Sequence, residues 1–183
     1  MALVTTWYLE QTDPADLKPA KPPRPDAGLA LVSPVMPELN RFFYTAVGGD
    51  WYWIDRLAWS YADWLAWLDR PELETWVVHA GGVPAGYFEL EAQPEGNVEI
   101  SYFGLLPAFV GRGWGGYALT AAARRAWQRG ARRVWVHTCS LDHPAALANY
   151  LARGFRVYHQ ESQEKPLPPA PPGPWPGARS ARD

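Results

Sequence analysis

The chain has 183 residues, 48% of them apolar, with 17 Lys/Arg against 19 Asp/Glu and a formal net charge of -2. That length supports one good core and falls short of two ordinary domains. Near-neutral charge without a Lys/Arg block argues against a nucleic-acid partner, and no apolar run reaches the length of a membrane span.

The opening MALVTTWYLEQTD lacks the basic and long apolar regions of a secretory signal. The single cysteine, Cys139, cannot make an internal disulfide, so a reducing, cytoplasmic setting is expected. Residues 13–37 are proline-rich, with KPAKPPRPDAG and SPVMP. From Pro37 to Leu68 aromatic residues crowd the chain, and apolar spacing at three and four (Leu39, Phe42, Phe43; Trp64, Leu65, Trp67, Leu68) predicts two helices. Gly48-Gly49-Asp50 breaks between them and Pro71 closes the second.

Strands follow: TWVVHA (75–80), AGYFELEA (85–92) and VEISYFGLL (98–106), separated by GGVP and PEGN turns. A helix then runs to Arg129 with Gly130 as its stop. RVWVHT (133–138) is an apolar strand, and Asp142 or His143 can cap a helix with Pro144 in its first turn, ending at Gly154. FRVYHQES (155–162) is the last strand. This order predicts an α/β domain with a mixed sheet over residues 1–164. The tail 165–183, KPLPPAPPGPWPGARSARD, cannot hold a ladder or a helix and is expected to be disordered or loosely draped.

Gly111, Gly113, Gly115 and Gly116 lie between a strand and a helix. Unpaired amides at a helix start, with the positive dipole end, suit a phosphate. Missing Cβ atoms let an anion reach the backbone, and Arg112 adds a charge. Gly111, Gly113 and Gly116 also spell a dinucleotide-binding G-x-G-x-x-G, but that motif follows the first strand of its unit and needs an acidic residue at the end of the next. Here the next strand ends Val136-His137-Thr138. A P-loop would need Gly-Lys-Ser/Thr, which is missing.

The stretch from Asn97 to Tyr158 resembles the GNAT N-acetyltransferase superfamily. The family signature Q/R-x-x-G-x-G/A falls on Val110-Gly111-Arg112-Gly113-Trp114-Gly115, with Val110 in the Gln/Arg position. A second signature falls on Ala146, Tyr150, Gly154 and Phe155, with His143 where Asn is usual. The resemblance implies a mixed, mostly antiparallel sheet of about six to seven strands with about four helices and splayed central strands. It implies acetyl-coenzyme A as co-substrate, its pyrophosphate on Gly111, Arg112, Gly113, Trp114, Gly115 and Gly116, with His143 nearby. Its pantetheine would lie between Gly104-Leu105-Leu106 and Val134-Trp135-Val136, with the Leu105 or Leu106 amide facing the thioester oxygen.

On the same resemblance Tyr150 is the general acid for the leaving thiolate; a phenol near pKa ~10 and a thiol near ~8.5 are close in proton affinity. The resemblance likewise makes Glu99, in the register where some family members carry a glutamate, the general base; apolar Val98 and Ile100 face the other way on a pleated strand. Glu89 and Glu91, one strand earlier, could take that role instead or attract a cationic amine, and His79 and His137 at strand ends could also serve. The acceptor side falls on the tryptophan-rich segment, where Asp50, Trp51 and Trp53, with Glu89, would hold a small amine bearing an apolar or aromatic part. Four histidines and one cysteine lack metal-ligand spacing, so no metal is expected. The expected protein is an N-acetyltransferase, monomeric or homodimeric; a non-catalytic acyl-coenzyme A-binding module that recruits a partner through its proline-rich tail is the competing class.

Overall fold

A computed structural model describes residues 1–178. In chain order the elements are β1 (Ala2–Gln11), β2 (Ala27–Leu31), α1 (Pro37–Gly48), α2 (Tyr61–Leu68), β3 (Leu73–Ala80), β4 (Val83–Gln93) and β5 (Asn97–Leu105). They continue with α3 (Trp114–Gln128), β6 (Arg133–Cys139), α4 (Ala146–Ala152) and β7 (Arg156–Lys165). The strands form one sheet in the order β2-β3-β4-β5-β6-β1-β7, in which only the β5–β6 pair is parallel.

β4 is buried on both faces from Ala85 to Leu90, as a central strand between two helical layers must be. On one face the alanines of α3 (Ala118, Ala122, Ala123, Ala126) let the helix approach closely, and they join Phe88, Leu90, Val98, Ile100 and Val134 in the main core. On the other face α1 and α2 pack through Phe43, Tyr44, Val47, Trp64 and Leu68. Gly104 of β5 faces α1, where a Cβ would collide with the Val47 side chain. The close seating of α1 on the sheet therefore depends on that glycine.

Two strands lie where the sequence reading placed none. β1 is wedged antiparallel between β6 and β7. A bulge between Tyr8 and Leu9 breaks its alternation, so Val4 and Thr6 are buried and then Leu9 and Gln11. Short β2 is cut from the proline-rich stretch and pairs with β3. The central strands do splay. β5 and β6 pair only at Asn97–Arg133, Val98–Val134 and Glu99–Trp135, while β5 runs on to Leu105 and β6 to Cys139. Val134 and Trp135 are still paired, so the free lip of β6 is Val136–Cys139, further along than the sequence suggested.

Residues 166–178 form no helix or strand, and the Gly173 amide donates to the Gly49 carbonyl at 2.8 Å. The end of the proline-rich tail, from residue 179, lies outside the described residues. Among the described residues no helix is long and apolar enough to cross a membrane, and none group as a three-residue His/Cys/Asp/Glu metal cluster.

Candidate active site

The parting of β5 from β6 opens a cleft of about 700 Å³. Its wall takes in Glu99 to Leu105 of β5, Val136 to Cys139 of β6, the glycine loop, Tyr150 of α4 and residues 51–56. Residues singled out from sequence meet there, among them Trp51, Trp53, Glu99, Leu105, Gly111, Gly113, Gly115, Gly116, His137, His143 and Tyr150. Asp50, Glu89, Leu106, Arg112 and Trp114 are not in its wall.

Backbone alternation decides which amide of β5 faces the gap. Leu106 donates its amide to Ala85 at 2.9 Å, so it is engaged by β4. Bonded and non-bonded pairs alternate along an antiparallel ladder. Gly104 opposite Tyr87 is therefore bonded to β4, while Leu105 opposite Gly86 and Phe103 opposite Phe88 turn their backbone groups toward the gap. A donor and acceptor row of that kind suits an extended, amide-bearing chain laid in like another strand.

At one end of this gap the glycine loop enters α3. Gly111 and Gly113 have φ of 74° and 82°, and Gly113 is the N-cap. No side chain caps the helix, so its first amides remain available to an anion. A Cβ on Gly111 would meet nothing within 4 Å, which leaves the loop surface open. The Trp114 side chain is buried against Phe109 and Tyr117, so this residue can offer only backbone. Arg112 is exposed on the loop. Asn149 of α4 donates to the Gly115 carbonyl at 3.2 Å and ties the two helices together. His143 accepts the Ala145 amide through Nδ1 at 3.0 Å and meets Trp51 edge-on, ring centroids 5.0 Å apart. α4 itself begins only at Ala146, because Asp142 turns its carboxylate back to β6.

Tyr150 lines the cleft with its ring held between Phe103 and Phe155. Burial, reinforced by the charge of Asp142, raises its phenol well above the ordinary value of 10 and keeps it protonated. Glu99 lies where the strands part. Its Oε2 accepts from Gln93 Nε2 at 2.8 Å, and its Oε1 lies 3.2 Å from His137 Nδ1. Interaction with Glu99 outweighs burial and raises the His137 imidazole above its ordinary 6.5.

On the acceptor side Trp53 donates through Nε1 to Asp142 at 3.2 Å, and the same carboxylate accepts from Thr138 Oγ1 at 2.8 Å and the Cys139 amide at 3.0 Å. One aspartate thus joins the acceptor loop to the free lip of β6. Tyr52, between the two tryptophans, holds φ of 59°, a costly conformation for a bulky residue and one often found at binding loops. Glu89 is 0% exposed and accepts from Arg56 (2.9 Å), Trp67 Nε1 (3.0 Å) and Asn40 (2.9 Å). The Arg56 guanidinium sits 4.0 to 5.5 Å from the ring centroids of Tyr102, Trp67, Trp59 and Trp64. Burial opposes its charge, but Glu89 outweighs that and raises Arg56 above its ordinary value. The aromatic cage therefore already holds a cation of the protein's own, and Glu89 neutralises it. Glu91 pairs with Arg70 at 2.8 Å and His79 packs against Gly28, both outside the cleft wall.

Sequence reasoning passed over Arg56 and the bridging role of Asp142. Arg56 carried no signal, since a lone arginine in a turn reads as solvated. Asp142 was visible only as a helix cap.

Residues 34–155 match the sequence profile of the acetyltransferase (GNAT) family. No curated protein matches the sequence significantly. Among solved structures, a GCN5-related N-acetyltransferase from Kribbella flavida superposes with a TM-score of 0.63 at 20% identity, over 85% of this chain and 55% of its own. One from Sphaerobacter thermophilus gives 0.63 at 18%, over 87% and 50%. A tandem GNAT protein from the clavulanic acid biosynthesis pathway gives 0.61 at 16%, over 87% and 52%. At these identities the likeness is one of fold, and this chain spans about half the length of each.

Proposed function

The chain belongs to the GNAT acetyltransferase family, and on that premise we propose that it moves an acetyl group from acetyl-coenzyme A to a primary amine of a small molecule, both bound together. The observation that carries the proposal is the early end of the β5–β6 ladder at Glu99–Trp135. It leaves Phe103 and Leu105 with backbone groups facing a cleft that has the glycine loop at one end and Tyr150 in its wall. Residues 1–164 are read as the transferase domain, with the proline-rich segment from 165 appended to it.

Acetyl-coenzyme A supplies a thioester carbon open to attack by a neutral amine. The Leu105 amide is placed to polarise a carbonyl in the gap, while Leu106, engaged by Ala85, supports the strand behind it. The amides of Gly111 to Gly116, Trp114 among them, with the charge of Arg112 alongside, hold a pyrophosphate, and His143 shapes the α4 side of that pocket. Tyr150, kept protonated by burial, donates its proton to the departing sulfur. Glu99 supplies the negative charge that draws a proton from the incoming ammonium. Trp51 and Trp53 present aromatic faces to the acceptor, with Asp50 beside them on the same loop. Glu89 serves from behind by holding Arg56 in the cage, which leaves aromatic surface for a substrate with an apolar or aromatic part.

Thermal melting with acetyl-coenzyme A, free coenzyme A and NADH tests the coenzyme assignment. A raised midpoint with the coenzyme A forms alone is expected; a shift with NADH alone overturns it. Release of free thiol in the presence of a panel of arylalkylamines then tests transfer, and acetylation confined to lysines of folded proteins would exclude a small-molecule acceptor.

A further inference from the structure

The hydrogen-bonding chain behind Glu99 fixes more than its position. Trp135 Nε1, which can only donate, bonds Gln93 Oε1 at 2.9 Å. That orients the Gln93 amide, so its Nε2 is the donor facing Glu99 Oε2 at 2.8 Å. Oε1 of Glu99 is left to His137 Nδ1 at 3.2 Å. A carboxylate there favours a proton on Nδ1, which makes Nε2 the bare, proton-accepting nitrogen of the neutral ring. Both Glu99 oxygens are thus occupied, and its side chain is 11% exposed against 48% for His137. His137 lies on the free lip of β6, beyond the last β5–β6 pair, and lines the cleft. Among the described residues Nδ1 is the ring nitrogen with a side-chain partner, Glu99, and no hydrogen bond to Nε2 is present.

We propose that His137 Nε2 is the atom that takes the proton from the acceptor ammonium, and that Glu99 is a positioning residue acting through it. This rests on the acetyl-transfer reading. The ammonium N–H proton passes to Nε2 and the freed lone pair attacks the thioester carbon. The C–N bond forms and the nitrogen, now positively charged, loses its second proton to solvent; the C–S bond breaks with its electrons going to sulfur, and sulfur takes the Tyr150 proton. The imidazolium then returns a proton to the tyrosinate through solvent. The titratable groups around the ring come from four places: Glu99 of β5, Asp142 before α4 and Lys165 at the end of β7, with Tyr8 of β1 6.0 Å away between ring centroids. Trp135 of β6 stands beside it at 6.1 Å. The two carboxylates favour the protonated ring and Lys165 opposes it.

Long-range 1H–15N spectra of the full chain test the assignment, with the His137 signals identified by their loss in His137→Asn. The neutral ring should carry its proton on Nδ1, and Glu99→Gln should lower the titration midpoint and shift protons to Nε2. Thiol release from acetyl-coenzyme A with tryptamine and 2-phenylethylamine as probe amines supplies the second readout. The acid limb of kcat/KM should follow the His137 midpoint and move with it in Glu99→Gln. His137→Asn should lose that limb and about 100-fold in rate. A wild-type ring protonated on Nε2, or an acid limb that persists in His137→Asn and disappears only in Glu99→Gln, overturns the proposal. If acetyl-coenzyme A raises the melting midpoint but neither probe nor any other amine yields thiol, the transfer reading fails separately, and a ring protonated on Nε2 still refutes the dyad.

Discussion

Replacing Glu89 by leucine removes the counter-ion of Arg56, whose side chain is 5% exposed. The guanidinium would be left among four aromatic rings with no carboxylate, and Trp67 Nε1 would lose its acceptor. Asn40 keeps its bond to Thr75 at 2.8 Å, so that donor is not orphaned. Breaking a buried pair from one side costs about 3–5 kcal/mol. At about 2–4 °C per kcal/mol for a chain of this size, the melting midpoint should fall by about 6–20 °C. Urea unfolding followed by tryptophan fluorescence reads the same loss, because Trp59, Trp64 and Trp67 surround the charge. The double variant Arg56→Met/Glu89→Leu should recover at least half of it, since an apolar pair of similar volume needs no counter-ion. A single-variant loss below about 1 kcal/mol, or a double variant no more stable than the single, would refute the view that the cage is held by charge neutralisation.

Tyr150→Phe keeps the ring between Phe103 and Phe155, so unfolding free energy should change by less than about 0.5 kcal/mol while kcat drops about 100-fold and the acetyl-coenzyme A melting shift persists. Gly113→Ala meets only Pro23 Cβ at 3.6 Å, so its cost is conformational: about 1–2 kcal/mol for φ of 82°, with a smaller acetyl-coenzyme A melting shift. His137 is raised in the folded state above its unfolded 6.5. Its stabilising contribution is complete below that value and is lost as pH rises through the folded one. Melting midpoints of wild type and His137→Asn should therefore diverge near pH ~5.5 and converge near pH ~8.5.

The strands β3 to β7 and helices α3 and α4 were legible because runs of β-branched and aromatic residues stand between turn residues and because glycines mark the helix ends, as at Gly130 and Gly154. The glycine loop and the Tyr150 helix were legible as a pair because each side chain or missing side chain matters at a fixed spacing. β1 was not, because its bulge at Tyr8/Leu9 shifts the alternation by one and hides two short periodic runs. The end state of Glu89 was hidden for another reason: Arg56 lies 33 positions before it, in the segment between α1 and α2, and only the tertiary fold brings the two together. Likewise nothing local announced that Asp142 would reach Trp53, 89 positions earlier.

The placement of β1 has a consequence for how the protein is made. Its strand partners are β6 and β7, and its contacts span 135 positions from Thr5 to Ser140 and 153 from Tyr8 to Glu161. β1 must therefore wait for β6 and β7, both made long after it. At about 5–20 residues per second, roughly 7–26 s separate the synthesis of β1 from that of its first partner. Throughout that interval Val4 and Leu9, both core residues of the finished sheet, have no strand to cover them. Such distant pairing makes closure of the sheet a slow step compared with the local β3–β4–β5 meander. Loss of the first eleven residues would also remove more than one strand, because β7 touches the sheet through β1 alone.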